Sequence, residues 1–166
     1  ETKMTNDIQK AYQNIDNAPS KPFTNEQIRE LLVNYHNNRK AVETILINLQ
    51  SEANGELYPS STDLEDERVQ KSLDTWSIIE DLLRKCENYR NYYKKTLERL
   101  REITMTLDKL VYCITRIRPN YQTVIVKAYF DGKEDYEIAE ELQLSESSIQ
   151  KTRNKGIAAL TDRMNM

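Results

Sequence analysis

The sequence predicts an all-α protein, with an elongated helical and coiled-coil region followed by a small helix-turn-helix bundle. Three observations predict it. The 166 residues include only 3 Gly and 4 Pro, so sites for tight turns are few and helix-favouring residues dominate. Apolar residues recur at steps of three and four along most of the length. A mean hydropathy of -0.79 with 31% charged residues is low for a compact globule and suits helices that keep much of their surface wet.

Residues 1–22 are polar, contain one weak apolar patch at Ile8, Tyr12 and Ile15, and end in Pro19 and Pro22. They read as an N-terminal arm or short helix. Thr24 with Gln27 three residues later has the spacing of a capping box, a helix start. From there Ile28, Leu31, Leu32, Tyr35, Val42, Ile45, Leu46 and Leu49 mark one amphipathic helix to about Gln50. Asn54-Gly55 and Tyr58-Pro59-Ser60-Ser61-Thr62 are turn formers, so residues 51–66 are expected to be a polar linker.

A long helix is expected next, from about Asp66 to Arg118. With Ile79 at heptad position a, the a positions are Ile79, Cys86, Tyr93, Leu100, Leu107 and Ile114. The d positions are Leu82, Tyr89, Thr96, Ile103, Leu110 and Ile117, and only Thr96 among these departs from apolar. Further apolar residues at Ile78, Leu83, Tyr92, Leu97, Val111 and Cys113 widen the stripe, which favours packing against more than one helix. Residues 23–118 are therefore read as a helical hairpin or coiled-coil oligomerisation region. The first helix can fold back on its own chain, or long helices of several chains can associate. A helix of about 75 Å is not covered by one of about 40 Å, which favours a homo-oligomer.

Several function classes are disfavoured. Cys86 and Cys113, on one straight helix, would lie about 40 Å apart, too far for a disulfide. His36 is the single imidazole and falls on the polar side of the first helix, no Gly-rich phosphate loop occurs, and Trp76 reads as a packing anchor. Asp63, Glu65, Asp66 and Glu67 suit the start of the long helix. No catalytic residue, cofactor or metal is expected, and the chain is not expected to be an enzyme. No apolar run approaches the roughly 18 residues that span a bilayer, so a cytoplasmic protein without membrane contact is expected. Tyr89, Tyr92 and Tyr93 lie among Arg90, Lys94 and Lys95, but two of the three occupy heptad core positions, which favours packing over base stacking.

Charge alternates in blocks: net -7 over residues 1–83, +6 over 84–118 and -2 over 119–166. Within the last block Ser145–Arg163 carries +2.

Pro119 ends the long helix, and residues 119–166 form the last unit. Tyr121, Val124, Ile125, Ala128 and Tyr129 supply a helix face that stops at Asp131-Gly132, Gly suiting the left-handed conformation. Asp135–Leu142 reads as a first short helix, Gln143–Ser145 as a turn, and a second helix begins near Glu146. Ala139 fits the close crossing, while Ile138, Leu142, Leu144, Ile149, Ile157 and Leu160 point inward. Ser145 is placed to cap the second helix. Over 146–155 its outer face offers Glu146, Ser147, Gln150, Lys151 and Asn154, with Arg153 and Lys155 at the flanks. Such a helix fits the major groove of double-stranded DNA: Gln and Asn can pair with adenine edges, whereas Ser, Lys and Arg hold phosphates.

Arg118-Pro119-Asn120-Tyr121-Gln122-Thr123-Val124-Ile125, Tyr129-Phe130-Asp131-Gly132, Tyr136-Glu137-Ile138-Ala139, Leu144-Ser145 and Lys155-Gly156-Ile157 together resemble region 4 of bacterial sigma factors over about Ile117–Leu160. That region reads the −35 promoter element. The whole arrangement, with its Ser-rich linker and long basic helix, resembles late-gene transcription regulators of Gram-positive phages and prophages, the ArpU and RinA type. The resemblance implies an activator of late genes that binds promoter DNA and contacts host RNA polymerase. Gln143 departs from the usual Gly in the turn, and Glu146 stands where a basic residue is common. No sigma region 2 is recognisable, so promoter melting is not expected. Two alternatives remain at this point: a small-terminase-like protein that recognises a DNA packaging site, and a protein-binding adaptor.

Overall fold

A computed structural model describes residues 2–57, 75–89 and 94–166. The described residues are helical, without strands: α1 (Thr2–Asp16), α2 (Asn25–Val33), α3 (Tyr35–Leu57), α4 (Thr75–Tyr89), α5 (Lys94–Ile114), α6 (Pro119–Ile125), α7 (Asp135–Leu142) and α8 (Glu146–Met164). A wider, π-helical turn, Val126–Phe130, continues α6. None of the described helices is long and apolar enough to cross a membrane. The chain forms two compact units, one of residues 1–18 and 36–105, the other of residues 19–35 and 106–166.

In the first unit, α1 buries Ala11 and Ile15, α3 buries Ala41, Val42, Ile45, Leu46 and Leu49, and α4 buries Ile78, Ile79 and Leu82. Leu97, Leu100 and Ile103 of α5 are buried as well. Arg99 fastens the end of α1, donating to the carbonyl oxygens of Ile15 (3.2 Å) and Ala18 (2.7 Å), acceptors that the helix terminus leaves without intrahelical partners. Ile79, Leu82, Leu100 and Ile103 occupy heptad a and d positions and are already buried in the single chain, so these four positions do not require a second copy. The side chains of Cys86 and Tyr89, and all of Tyr92 and Tyr93, lie outside the described residues.

Three expectations need correction. The helix expected over Thr24–Gln50 is two helices, broken at Asn34, whose N–H reaches back to Glu30 and Leu32. Its apolar stripe keeps step through the break while serving two cores, Ile28, Leu31 and Leu32 in one unit and Val42 to Leu49 in the other. Second, the expected linker 51–66 is helical through Leu57. One internal Gly costs about 1 kcal/mol, which a packed helix tolerates. The remainder of that linker and the expected helix start at Asp66 lie outside the described residues.

Third, the long helix closes at Ile114 instead of Arg118. Its last turn tightens as Thr115 and Arg116 donate to carbonyls three residues back, Tyr112 and Cys113, at 3.1 and 3.0 Å. Pro119 then forces Arg118 out of helical geometry, to ψ 142.

The second unit gathers α2, the end of α5, and everything from α6 onward. Its larger core joins Phe23, Ile28, Leu31 and Leu32 to Leu110, Cys113, Ile114 and Ile117 and to Ile125, Ile157, Leu160 and Met164. Burial pushes the Cys113 thiol up from its ordinary pKa, so it stays a protonated, apolar core group. A smaller core of Val124, Ile138, Ala139 and Ile149 holds α7 against its neighbours. This core draws on α2 and on the last turns of α5 as well as on residues 119–166.

Candidate nucleic-acid interface

α7 has the bounds expected for the first helix of the reader, and α8 starts at Glu146 as expected and runs to Met164. At the start of α7 the Glu134 N–H donates to Glu137 Oε2 at 3.1 Å, while the Glu137 N–H donates to the Glu134 carbonyl at 3.0 Å. Gln143 ends it at φ 56, ψ 44, in the left-handed region, and its N–H returns to Ala139 and Glu140. Gly132, at φ 68, makes the earlier turn. Ser145 caps α8, its hydroxyl oxygen accepting from the Ser148 N–H at 3.2 Å. Ala139 is buried at the crossing, as its small size requires.

The inner face of α8 is apolar and closed: Ile149, Gly156, Ile157, Leu160 and Met164 are buried. Gly156 is the closest approach, because a Cβ there would stand 2.9 Å from Ile125 Cδ1 and 3.2 Å from Tyr121 Cβ. The outer face carries Ser145, Glu146, Ser147, Gln150, Lys151, Asn154 and Lys155, all exposed. One expected inward residue points out: Leu144 is 52% exposed. Its position in the turn, between the left-handed Gln143 and the cap Ser145, directs it away from the crossing.

Two of the expected outer residues have partners. Arg153 is paired with Asp135 at the start of α7, both side chains three-quarters or more buried. It holds the two helices together instead of standing open at the flank. Asn154 accepts at Oδ1 from the Arg29 guanidinium of α2, at 3.3 Å.

Sequence patterns did not reveal that α2 lies along α8. The two are joined through the core and through Phe23, whose N–H donates to Asn165 Oδ1 at 2.7 Å while its carbonyl accepts from Asn165 Nδ2 at 2.7 Å. Phe23 just before the cap and Ile28 four residues into α2 form the hydrophobic staple pattern, a local signal of how the chain enters the helix but not of what it packs on.

A second electrostatic tie braces the approach to α7. Glu141 accepts from Lys127 at 2.6 Å and from Lys133, and these two ammonium groups hold its carboxyl down to a pKa of about 2. At the other end of the unit Lys109 donates to the Met164 carbonyl at 3.0 Å, satisfying the C-terminus of α8.

Residues 107–160 match the family model of sigma-70, region 4. The chain carries a sigma-70 region 4 domain. No curated protein and no solved structure matches the chain at a significant level. The region 4 match begins at Leu107, inside α5, and so takes in the last turns of that helix with α6, α7 and α8. α2 is a further helix laid on the region 4 domain from outside the matched residues.

Proposed function

We propose that this chain is a sequence-specific DNA-binding transcription regulator that reads promoter DNA with residues 146–155 of α8. The observation that carries the reading is the two-sidedness of this helix within a region 4 domain. Ile149, Ile157 and Leu160 are sealed at 1% exposure or less, while Ser147, Gln150, Lys151, Asn154 and Lys155 face out along the first turns. Gln150 offers a paired donor and acceptor to a base edge, and Lys151 and Lys155 offer charge to phosphates. The protein acts by binding, in the cytoplasm, without catalysis. The resemblance to phage and prophage late-gene regulators extends the reading to activation of late genes with contact to host RNA polymerase. Because the face is only modestly basic, a homo-oligomer of linked readers, or polymerase itself, adds the remaining affinity.

The test is selection of duplexes from a random-sequence DNA pool by the full chain, followed by mobility shifts on the selected site. Gln150→Ala should relax preference at one base position by about 1–3 kcal/mol, and Lys151→Ala should weaken all duplexes evenly. Recovery of no preferred sequence, or wild-type binding by both variants, would rule the proposal out.

A further inference from the structure

We infer that Arg29, on α2 and remote in sequence from the reader, is a DNA-contacting residue that reaches a backbone phosphate beside Asn154. The inference rests on the proposed reading of α8 and adds a group to it that lies outside the region 4 match.

Arg29 is held in a fixed place. The helix that carries it starts with a complete capping box between Thr24 and Gln27. Its inner residues Ile28, Leu31 and Leu32 are at most 1% exposed in the same core as Ile157, Leu160 and Met164 of α8. The reciprocal bonds between Phe23 and Asn165 secure the entry to α2. Fixing the backbone beforehand removes most of the ordering cost that a loose arm would meet on binding.

Arg29 also reaches the right face. It is exposed, and its Nη2 donates to Asn154 Oδ1 at 3.3 Å. Asn154 lies four residues beyond Gln150 and three beyond Lys151, so the three share one stripe of α8. A guanidinium has five N–H donors in a planar fork, and the bond to Asn154 uses one. The others suit the paired oxygens of a phosphate.

The exchange of cations on this face supports the assignment. Arg153, expected to contact DNA, is neutralised by Asp135, whereas Arg29 is engaged by a neutral amide oxygen. Glu26 and Glu30 are exposed on the same helix and lower the local potential, so Arg29 supplies one phosphate contact and not a basic patch.

One further consequence follows from donor chemistry. A guanidinium can only donate, so Asn154 must turn Oδ1 toward Arg29 and direct its NH₂ elsewhere. Asn154 then keeps both amide hydrogens and the second Oδ1 lone pair for DNA, with its NH₂ placed to donate to a base edge or a phosphate.

The experiment measures binding of the full chain to its selected duplex across a salt series, for wild type, Arg29→Gln, Arg29→Lys and Lys151→Ala, with thermal melting of each. Each phosphate contact contributes about 0.9 to the slope of log affinity against log salt, so Arg29→Gln should lower the slope by about one and the affinity about tenfold near 0.1 M salt. Arg29→Lys should keep the slope. Wild-type binding by Arg29→Gln alongside weakened binding by Lys151→Ala would overturn the inference and leave the α8 reading in place. Loss of affinity at an unchanged slope would also overturn it, because Arg29 would then act only through Asn154. Wild-type binding by both Arg29→Gln and Lys151→Ala would count against the α8 reading too.

Discussion

Arg153 in the middle of α8 donates to Asp135, the first residue of α7, and so bridges the helix-turn-helix from side to side. Both side chains are largely shielded, at 25% and 19% exposure, so the pair is worth more than a surface ion pair. Arg153→Gln and Asp135→Asn should each lower stability by about 1–2 kcal/mol. In a double-mutant cycle from urea unfolding, the combined change should cost little more than either alone. The salt dependence of DNA binding should stay unaltered in folded Arg153→Gln. A reduced slope would return Arg153 to the phosphate contacts.

The crossing of α8 over α6 depends on Gly156. Alanine there gains about 1 kcal/mol of helix propensity but drives Cβ into Ile125 Cδ1 and Tyr121 Cβ. Overpacking costs about 1–3 kcal/mol, so Gly156→Ala should be net destabilising by about 1 kcal/mol. Ile125→Val deletes the atom that the new methyl would strike. The double variant should therefore recover part of the loss in denaturant melts, and full additivity would show that the close contact is not the cause.

How much of this was legible depended on whether the deciding force was local. The bounds of α7, the start of α8, the left-handed Gly132 and Gln143, and the caps at Thr24 and Ser145 follow from residues within four positions of one another, and all are found. The break at Asn34 was invisible because the apolar stripe runs on in register while its burial passes from one core to another. Leu144 looked like core from its type alone, yet the cap at Ser145 turns the backbone and leaves it open. Arg153 and Asp135, 18 residues apart, and Arg29 and Asn154, 125 apart, meet only through tertiary packing that no period encodes.

Acid should expose the role of Glu141. Lys127 and Lys133 favour its carboxylate in the folded state, so its folded pKa of about 2 lies below the ordinary 4.5. The contribution is therefore complete above pH 4.5 and fades as pH falls through about 2. Wild type should exceed Glu141→Gln in stability by a constant margin near neutrality, and the margin should narrow between pH 4.5 and 2. The site is open to solvent, so added salt should shrink the margin as well. Urea melts at pH 7, 4 and 2.5 measure this; a margin that widens toward acid contradicts the assignment.

α2 should be part of what makes the region 4 domain stable. Ile28 is fully buried beside Leu160 and Met164, and nothing in its own helix could cover that surface. Ile28→Ala in the full chain should cost about 2–4 kcal/mol, the loss typical of a large side chain removed from a packed core. Native-state hydrogen exchange localises the effect: amides over the last turns of α8 should exchange faster, in step with those of α2. A peptide of residues 119–166 should show little helix by circular dichroism, because it lacks both Ile28, Leu31 and Leu32 and the α5 residues Leu110 and Ile114 that complete its core. If α8 keeps wild-type protection in Ile28→Ala, or the peptide folds unaided, then α2 is an attachment to the domain and Arg29 loses the rigid mount on which its reach to DNA depends.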